Sequence, residues 1–280
     1  MNTSTSRAAG KILSQDELDA YHRDGYLVPR FRFTGERLAK LQALTERLIA
    51  DNPTLINKAM VGLHLPQTGA QGLVTTRDWL DFATDPDLLD MMSELIGPDI
   101  VLWDCQMFYK RSGGGPATPW HRDGRYWPIR PLATTSVWVA VYDSVIENGC
   151  LRIIPGSHRA RQIGQHLKSN REDTVFPQYL SADEYDESQA KSIELKAGEM
   201  VMFDVYTIHG AEHNNGTKPR AGVSIRYMPA TSHFDHDGAD LEHAREYPGA
   251  AHQNRPLMLV RGVDRSGRND FRRGHLPLEA

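Results

Sequence analysis

Cysteine is nearly absent from this chain: Cys105 and Cys150 are the only two, both in apolar stretches. A disulfide-stapled secreted scaffold needs a set of paired cysteines, so a reducing, cytoplasmic setting is the expectation. Long apolar runs are missing too. No segment approaches the ~18 consecutive apolar residues of a membrane-spanning helix, and the opening Met1-Asn2-Thr3-Ser4-Thr5-Ser6-Arg7 carries no apolar signal core. Charge of one sign is scarce: a net charge of −4 and a pI near 6.3 argue against nucleic acid or an anionic membrane as partner. A small molecule is the expected partner, and the chain is read as a monomer or a small homo-oligomer. Several motifs are also wanting. There is no Gly-x-Ser-x-Gly elbow, which removes the commonest serine-hydrolase reading. Gly113-Gly114-Gly115 lacks the Lys-Ser/Thr of a phosphate-binding loop, and His209 and His213 have no cysteine pair to make a zinc finger.

What is present is ordinary globular composition, 40% hydrophobic and 24% charged over 280 residues, a length at which barrels and sandwiches fold as one unit. Residues 1–280 are therefore read as a single domain in three parts. The first, 1–98, is a mostly helical cover. Ser14-Gln15-Asp16-Glu17 is a capping box that starts a helix, and Gly25 stops it. A strand Tyr26-Leu27-Val28 follows. Thr34 opens a second helix in which Leu38, Leu41, Leu44 and Leu48 recur at three- and four-residue steps until Asn52-Pro53. Leu88, Leu89, Met92, Leu95 and Ile96 repeat that pattern before Gly97-Pro98. The second part, 99–230, changes period. Short β-rich runs at Ile100 to Tyr109, Thr134 to Tyr142, Leu151 to Ile154, Met200 to Phe203 and Ala221 to Met228 predict an antiparallel sandwich. Within it, 159–192 is long, polar and charged, and is read as a lid. The third part, 231–280, has little periodicity beyond Pro256-Leu257-Met258-Leu259-Val260 and is expected to wrap the barrel.

The chemistry is concentrated in Pro119-Trp120-His121-Arg122-Asp123-Gly124, where an imidazole and a carboxylate stand two residues apart. Residues two apart on an extended segment project to the same side, so His121 and Asp123 can reach one ion. A His-x-Asp tripeptide alone is weak, and a chance surface turn is the alternative. The context is His209, 86 residues beyond Asp123 at the end of the apolar run Met200 to Ile208. Two neutral nitrogens and one anionic oxygen on one face of an octahedron are the ligand set of mononuclear Fe(II) oxygenases, which keep three positions open for co-substrate and O2. Asn214-Asn215-Gly216 is a turn that should fold Arg220 onto a strand beside the one bearing His209. Arg220 is either a surface ion-pair partner or, as the preferred fork for carboxylates, the anchor of a dicarboxylate; the second is favoured. Gln106 and Lys110 lie at even spacing on the strand before the metal segment and face either the cavity or solvent. Arg122, Arg125 and Arg130 crowd the metal segment with Tyr126 and Trp127 between them. Arg125, Tyr126 and Trp127 are thus candidates for binding an anionic substrate and packing its body, against the alternative of a solvated loop.

These pieces together resemble the phytanoyl-CoA dioxygenase family of Fe(II)- and 2-oxoglutarate-dependent oxygenases. The resemblance rests on Leu13-Ser14 through Asp24-Gly25-Tyr26, on Trp120-His121-Arg122-Asp123-Gly124-Arg125-Tyr126-Trp127-Pro128, on Asn148-Gly149-Cys150-Leu151 running into Pro155-Gly156-Ser157-His158, and on His209-Gly210 with Arg220 eleven residues later. It implies a mainly β fold with flanking helices around a double-stranded β-helix, the jelly-roll or cupin-like barrel. His121, Asp123 and His209 would be the iron ligands, and Arg220 would hold the distal carboxylate of 2-oxoglutarate. Trp138 matches the family tryptophan that lines the co-substrate pocket. Many relatives carry a serine two residues after the distal histidine where this chain has Ala211, and Ser224, on the same strand face as Arg220, is the candidate substitute. The implied reaction hydroxylates an unactivated C–H bond of a small, anionic or neutral, organic substrate with O2, releasing succinate and CO2. Desaturation, epimerisation and cyclisation share its first step. A cupin-like metal hydrolase or isomerase would use the same ligands but has no use for Arg220.

Overall fold

The computed structural model describes residues 11–65, 73–125, 127–238 and 252–275. Its first helix, α1 (Gln15–Asp24), makes both bonds of the capping box: Glu17 N–H donates to Ser14 Oγ at 3.3 Å and Ser14 N–H to Glu17 Oε2 at 2.7 Å. Gly25 ends it in the left-handed region, φ 80°, which costs glycine nothing. The chain continues through β1 (Tyr26–Leu27), α2 (Gly35–Asp51), β2 (Met60–Val61), α3 (Asp78–Ala83) and α4 (Pro86–Ile96). At six residues α3 is too short to show a helical period in the sequence.

From there helices give way to strands: β3 (Ile100–Lys110), β4 (Thr118–His121), β5 (Ile129–Arg130), β6 (Thr135–Ala140), β7 (Leu151–Ile153), β8 (His166–Lys168), β9 (Gln178–Leu180), β10 (Lys191–Ile193), β11 (Met200–Asp204), β12 (His209–Ala211), β13 (Arg220–Pro229), β14 (His233–Phe234) and β15 (Met258–Arg261). A seven-stranded sheet runs β1-β11-β6-β13-β3-β15 with β2 also on β3, and a four-stranded sheet runs β10-β7-β12-β4. Both are antiparallel throughout.

The larger sheet is buried on both faces. On its outer face Cys105, Met107, Val137, Val139, Val223, Ile225 and Tyr227 pack with Leu41, Leu44, Leu48, Trp79, Leu88 and Met92 of the helices. Tyr227 also donates its hydroxyl to Ala83 O at 2.6 Å, tying β13 to α3. On the inner face Trp138, Ala140, Val201 and Phe203 meet Leu151, Ile153 and Ile193 from the smaller sheet. Each such side chain removed from water contributes roughly 1.5–3 kcal/mol, so a one-residue slip, which would invert every side chain, is excluded. The fold is the mainly β double-stranded β-helix with flanking helices that the resemblance implied.

Residues 159–192 are not plain loop. They hold the β8–β9 hairpin and β10, and Thr174 forms a bridge with Ala117 just before β4. Of 231–280, β14 pairs with β5, β15 pairs with the start of β3, and Leu257 and Phe271 pack against Trp103 and Trp127. These described parts of the segment lie at the end of the barrel at which β3 begins.

Candidate metal centre and co-substrate pocket

β12 pairs with β4 so that His209 stands opposite His121, their rings 4.2 Å apart. Asp123 reaches them in a different way from the one the spacing predicts. β4 ends at His121, and Asp123 opens a 3-10 turn, Asp123–Arg125. Strand alternation therefore does not aim the carboxylate; the turn does. Its Oδ1 lies 3.4 Å from His121 Nε2 and 3.8 Å from His209 Nε2, and one ligand atom from each of the three residues lies within 4.8 Å of the others. All three are buried.

The other nitrogens explain the ring orientations. His121 Nδ1–H donates to Pro119 O at 2.8 Å and His209 Nδ1–H to Thr207 O at 3.0 Å. A carbonyl can only accept, so each Nδ1 carries a proton and, in the neutral ring, Nε2 offers its lone pair toward Asp123. Burial and the neighbouring His121 push the His209 pKa down to about 4, keeping it neutral. Burial alone would raise Asp123, but Arg226, His209 and His121 outweigh it and hold the carboxyl well below the usual carboxylate range. Two lone pairs and an anion pointed at one spot repel each other unless a cation lies between them. Ligands ~2.1 Å from a metal at right angles are ~3 Å apart, so these donors close on a divalent ion with small adjustments.

Arg220 approaches from elsewhere than predicted. The neighbours of β12 are β4 and β7, whereas Arg220 begins β13 of the larger sheet, opposite Lys110 of β3. It faces the triad across the barrel. Its Nε and Nη2 donate to Gly149 O at 3.1 and 2.9 Å, its Nη1 to Phe108 O at 3.4 Å, and its Cζ lies 5.1 Å from the Trp138 ring centroid. It is 2% exposed, and among the described residues it has no carboxylate partner. Burial lowers its pKa to about 10. A buried guanidinium satisfied only by neutral carbonyls is chemically suited to receive an anion.

One small cavity, about 30 Å³, joins these groups; Trp138, Ser224, Phe108, Phe176, Phe203 and Ala211 complete much of its wall. Gln106 and Lys110 share the inward face of β3 with Phe108, yet only Phe108 is in the wall. The Gln106 amide donates to Asp104, and Lys110 Nζ donates to the carbonyls of Ala211 and Glu212. Burial, reinforced by Arg220, drops the Lys110 pKa to about 6. Ser224 is buried and in register with Trp138.

The substrate candidates separate. Trp127 is buried outside the cavity wall, its ring 4.6 Å from Trp103 and 4.7 Å from Arg226 Cζ. Arg125 is exposed, and Tyr126 lies outside the described residues. Arg122 is buried and committed to Tyr206 O, Ile163 O and Glu184. Sequence reasoning missed Arg226, which lines the cavity, and Asp104, which holds it at 3.2 Å. One signal was available: Arg226 is an even number of residues past Arg220 and so shares its inward face.

A jelly roll that opposes a His-Asp-His cluster to an acid-free buried arginine has the layout of a mononuclear metal oxygenase. The sequence profile of the family described as Phytanoyl-CoA dioxygenase (PhyH) matches residues 21–222, and the chain belongs to that family. It is similar to a probable phytanoyl-CoA dioxygenase of Caenorhabditis elegans, 25% identical over 239 residues, covering 78% of this chain and 76% of the relative. An ectoine dioxygenase of Bordetella parapertussis is 26% identical over 238 residues, covering 77% and 75%. The fold is shared with EctD from S. alaskensis with 2-oxoglutarate and 5-hydroxyectoine, at a TM-score of 0.62 and 21% identity over 83% of this chain and 82% of that one.

Proposed function

We propose that the protein is a non-haem Fe(II)- and 2-oxoglutarate-dependent dioxygenase that hydroxylates an unactivated C–H bond of a small organic molecule. The observation that carries this reading is the single cavity shared by the His-Asp-His cluster and the buried Arg220 without an acid. A hydrolase or isomerase on the same barrel accounts for the first but not the second.

In this reading His121, Asp123 and His209 hold Fe(II), and Arg220 receives the far carboxylate of 2-oxoglutarate. When bound, iron with 2-oxoglutarate and O2 supplies the oxidising power, and succinate and CO2 are released. The rest is done by the chain. The carbonyls of Thr207 and Pro119 keep both histidines in the ligating tautomer. Gly149 O and the Trp138 face fix the plane of the Arg220 fork, so the keto-acid is bound in one orientation. Lys110 secures the end of β12 by donating to the carbonyls of Ala211 and Glu212. Phe108, Phe176 and Phe203 keep water from the cavity. The β8–β9 segment, which brings Phe176 to 5.2 Å from the His121 ring, serves as a lid over the metal. Exposed Arg125 makes an anionic substrate the first class to screen.

The 1–280 chain is one oxygenase domain, monomeric or a small homo-oligomer, acting in the cytoplasm without nucleic acid. Among the described residues no helix is long and apolar enough to cross a membrane.

Anaerobic addition of Fe(II) and then 2-oxoglutarate should produce a visible charge-transfer band, and candidate acids, acyl-thioesters, phosphonates and amines should then stimulate succinate formation. A product heavier by one oxygen identifies hydroxylation; loss of two hydrogens identifies desaturation. A fully metallated protein without the band would return the assignment to a hydrolase or isomerase.

A further inference from the structure

The guanidinium of Arg226 has an unusual position. It is 5% exposed, its Nη1 is 3.2 Å from Asp104 Oδ2, and its Nη2 is 3.8 Å from Oδ1 of Asp123, the oxygen that faces both histidines. Its Cζ lies 4.7 Å from the Trp127 ring centroid and 5.8 Å from that of Trp103. Asp104 is itself fixed, accepting from Arg255 Nη1 at 3.2 Å and from its own neighbour Cys105 N–H at 2.9 Å. The fork is therefore backed by a pair of indole rings and anchored at one end, with the other end directed at the metal-facing carboxylate oxygen. The second carboxylate oxygen of Asp123 accepts from Ser136 Oγ at 3.3 Å.

We propose that Arg226 is a positioning residue for Asp123: bridging from Asp104, it fixes the carboxylate so that one oxygen is presented to the metal while Ser136 holds the other. This rests on the functional reading above. A guanidinium near a divalent ion also repels it, and the two effects oppose each other. Asp104 and Asp123 together set two negative charges against Arg226 and Arg255, so the repulsion is partly offset, while the Nη2 end of Arg226 stands 3.8 Å from Asp123 Oδ1. Orientation therefore wins. Outer partners of metal ligands typically contribute about 10- to 100-fold in metal affinity.

The experiment is titration of the metal-free full-length protein with Co(II), read by its visible d–d spectrum, alongside thermal melting. Arg226→Gln should bind Co(II) about 10- to 100-fold more weakly with an altered spectrum. Arg226→Lys separates positioning from mere support. Lysine keeps a cation against Asp104 and should melt close to wild type, but it lacks the second, rigidly placed nitrogen that the fork directs at Asp123. Its Co(II) affinity should remain several-fold below wild type and its spectrum displaced. Wild-type affinity and spectrum in folded Arg226→Lys, or equal or tighter binding by Arg226→Gln, would overturn the inference. A wild-type protein that takes up no Co(II) would instead overturn the functional reading, and this inference with it.

Discussion

Gly222 lies beneath the co-substrate pocket, and replacing it with alanine should weaken 2-oxoglutarate binding without touching a single polar group. Its backbone is ordinary extended β, paired with Ala140 on one side and Phe108 on the other. A Cβ there would fall within the Trp138 ring, overlapping Cζ2 and Cε2 and lying 2.6 Å from Nε1. The indole must move. It is 3% exposed and stacked against Arg220, so any displacement disturbs the guanidinium plane. Overpacking of this kind costs about 1–3 kcal/mol, and losing the ring's contact with the cation forfeits about 1 kcal/mol more. The expected result is a lower melting temperature for the metal-free protein and roughly tenfold weaker 2-oxoglutarate binding, the equivalent of about 1.4 kcal/mol. Melting curves and an anaerobic titration of the Fe(II) protein read the two quantities separately. A Gly222→Ala/Trp138→Phe double variant tests the cause. Phenylalanine lacks the overlapping atoms, so the two changes should be strongly non-additive in stability. A Gly222→Ala protein with unchanged melting and unchanged co-substrate affinity, or additive effects in the double variant, would refute the steric argument.

Three further outcomes follow from the same geometry. Arg220→Gln should weaken 2-oxoglutarate binding by about 2–5 kcal/mol, measured by the same titration; retained affinity would show that the anion is held elsewhere. His64 is 2% exposed, and burial takes its pKa from the ordinary 6.5 down to about 4. Between those values the unfolded chain takes up a proton that the folded protein does not, so stability present above pH 6.5 is lost as pH falls toward 4. The drop amounts to about 3 kcal/mol; denaturant titrations of the metal-free protein across this range should show it, and His64→Leu should flatten it. Arg125→Ala should raise the substrate KM while leaving substrate-independent 2-oxoglutarate turnover alone; an unchanged KM retires Arg125 as a substrate residue.

Much of the architecture follows from short-range signals. The Ser14–Glu17 capping box, the leucine spacing of α2 and the β-branched runs of β3, β6 and β13 all act over a few residues, and the elements begin and end within one or two residues of where those signals place them. The nature of the site was also legible in part, because His121 and Asp123 are two residues apart and His209 ends an apolar strand. How they meet was not. A strand that stops at His121 and a turn that starts at Asp123 replace the expected alternation, since turn geometry depends on what the backbone packs against. Lys110 shows the same limit: spacing put it on the inward face of β3, and only the neighbouring strand end decided that its amine would be spent on the carbonyls of Ala211 and Glu212.

The sequence by itself determined the element types, the alternation that buries both faces of the larger sheet, and the ligand chemistry of the metal segment, because these depend on side-chain identity and local period. Tertiary structure alone decided that Arg220 faces the triad from the opposite sheet, that Trp127 stacks behind Arg226 instead of lining the cavity, and that Asp104 reaches across 122 residues to fix that arginine. Those relations are set by strand pairing between segments far apart in the chain, and pairing partners are chosen by the packing of the whole barrel.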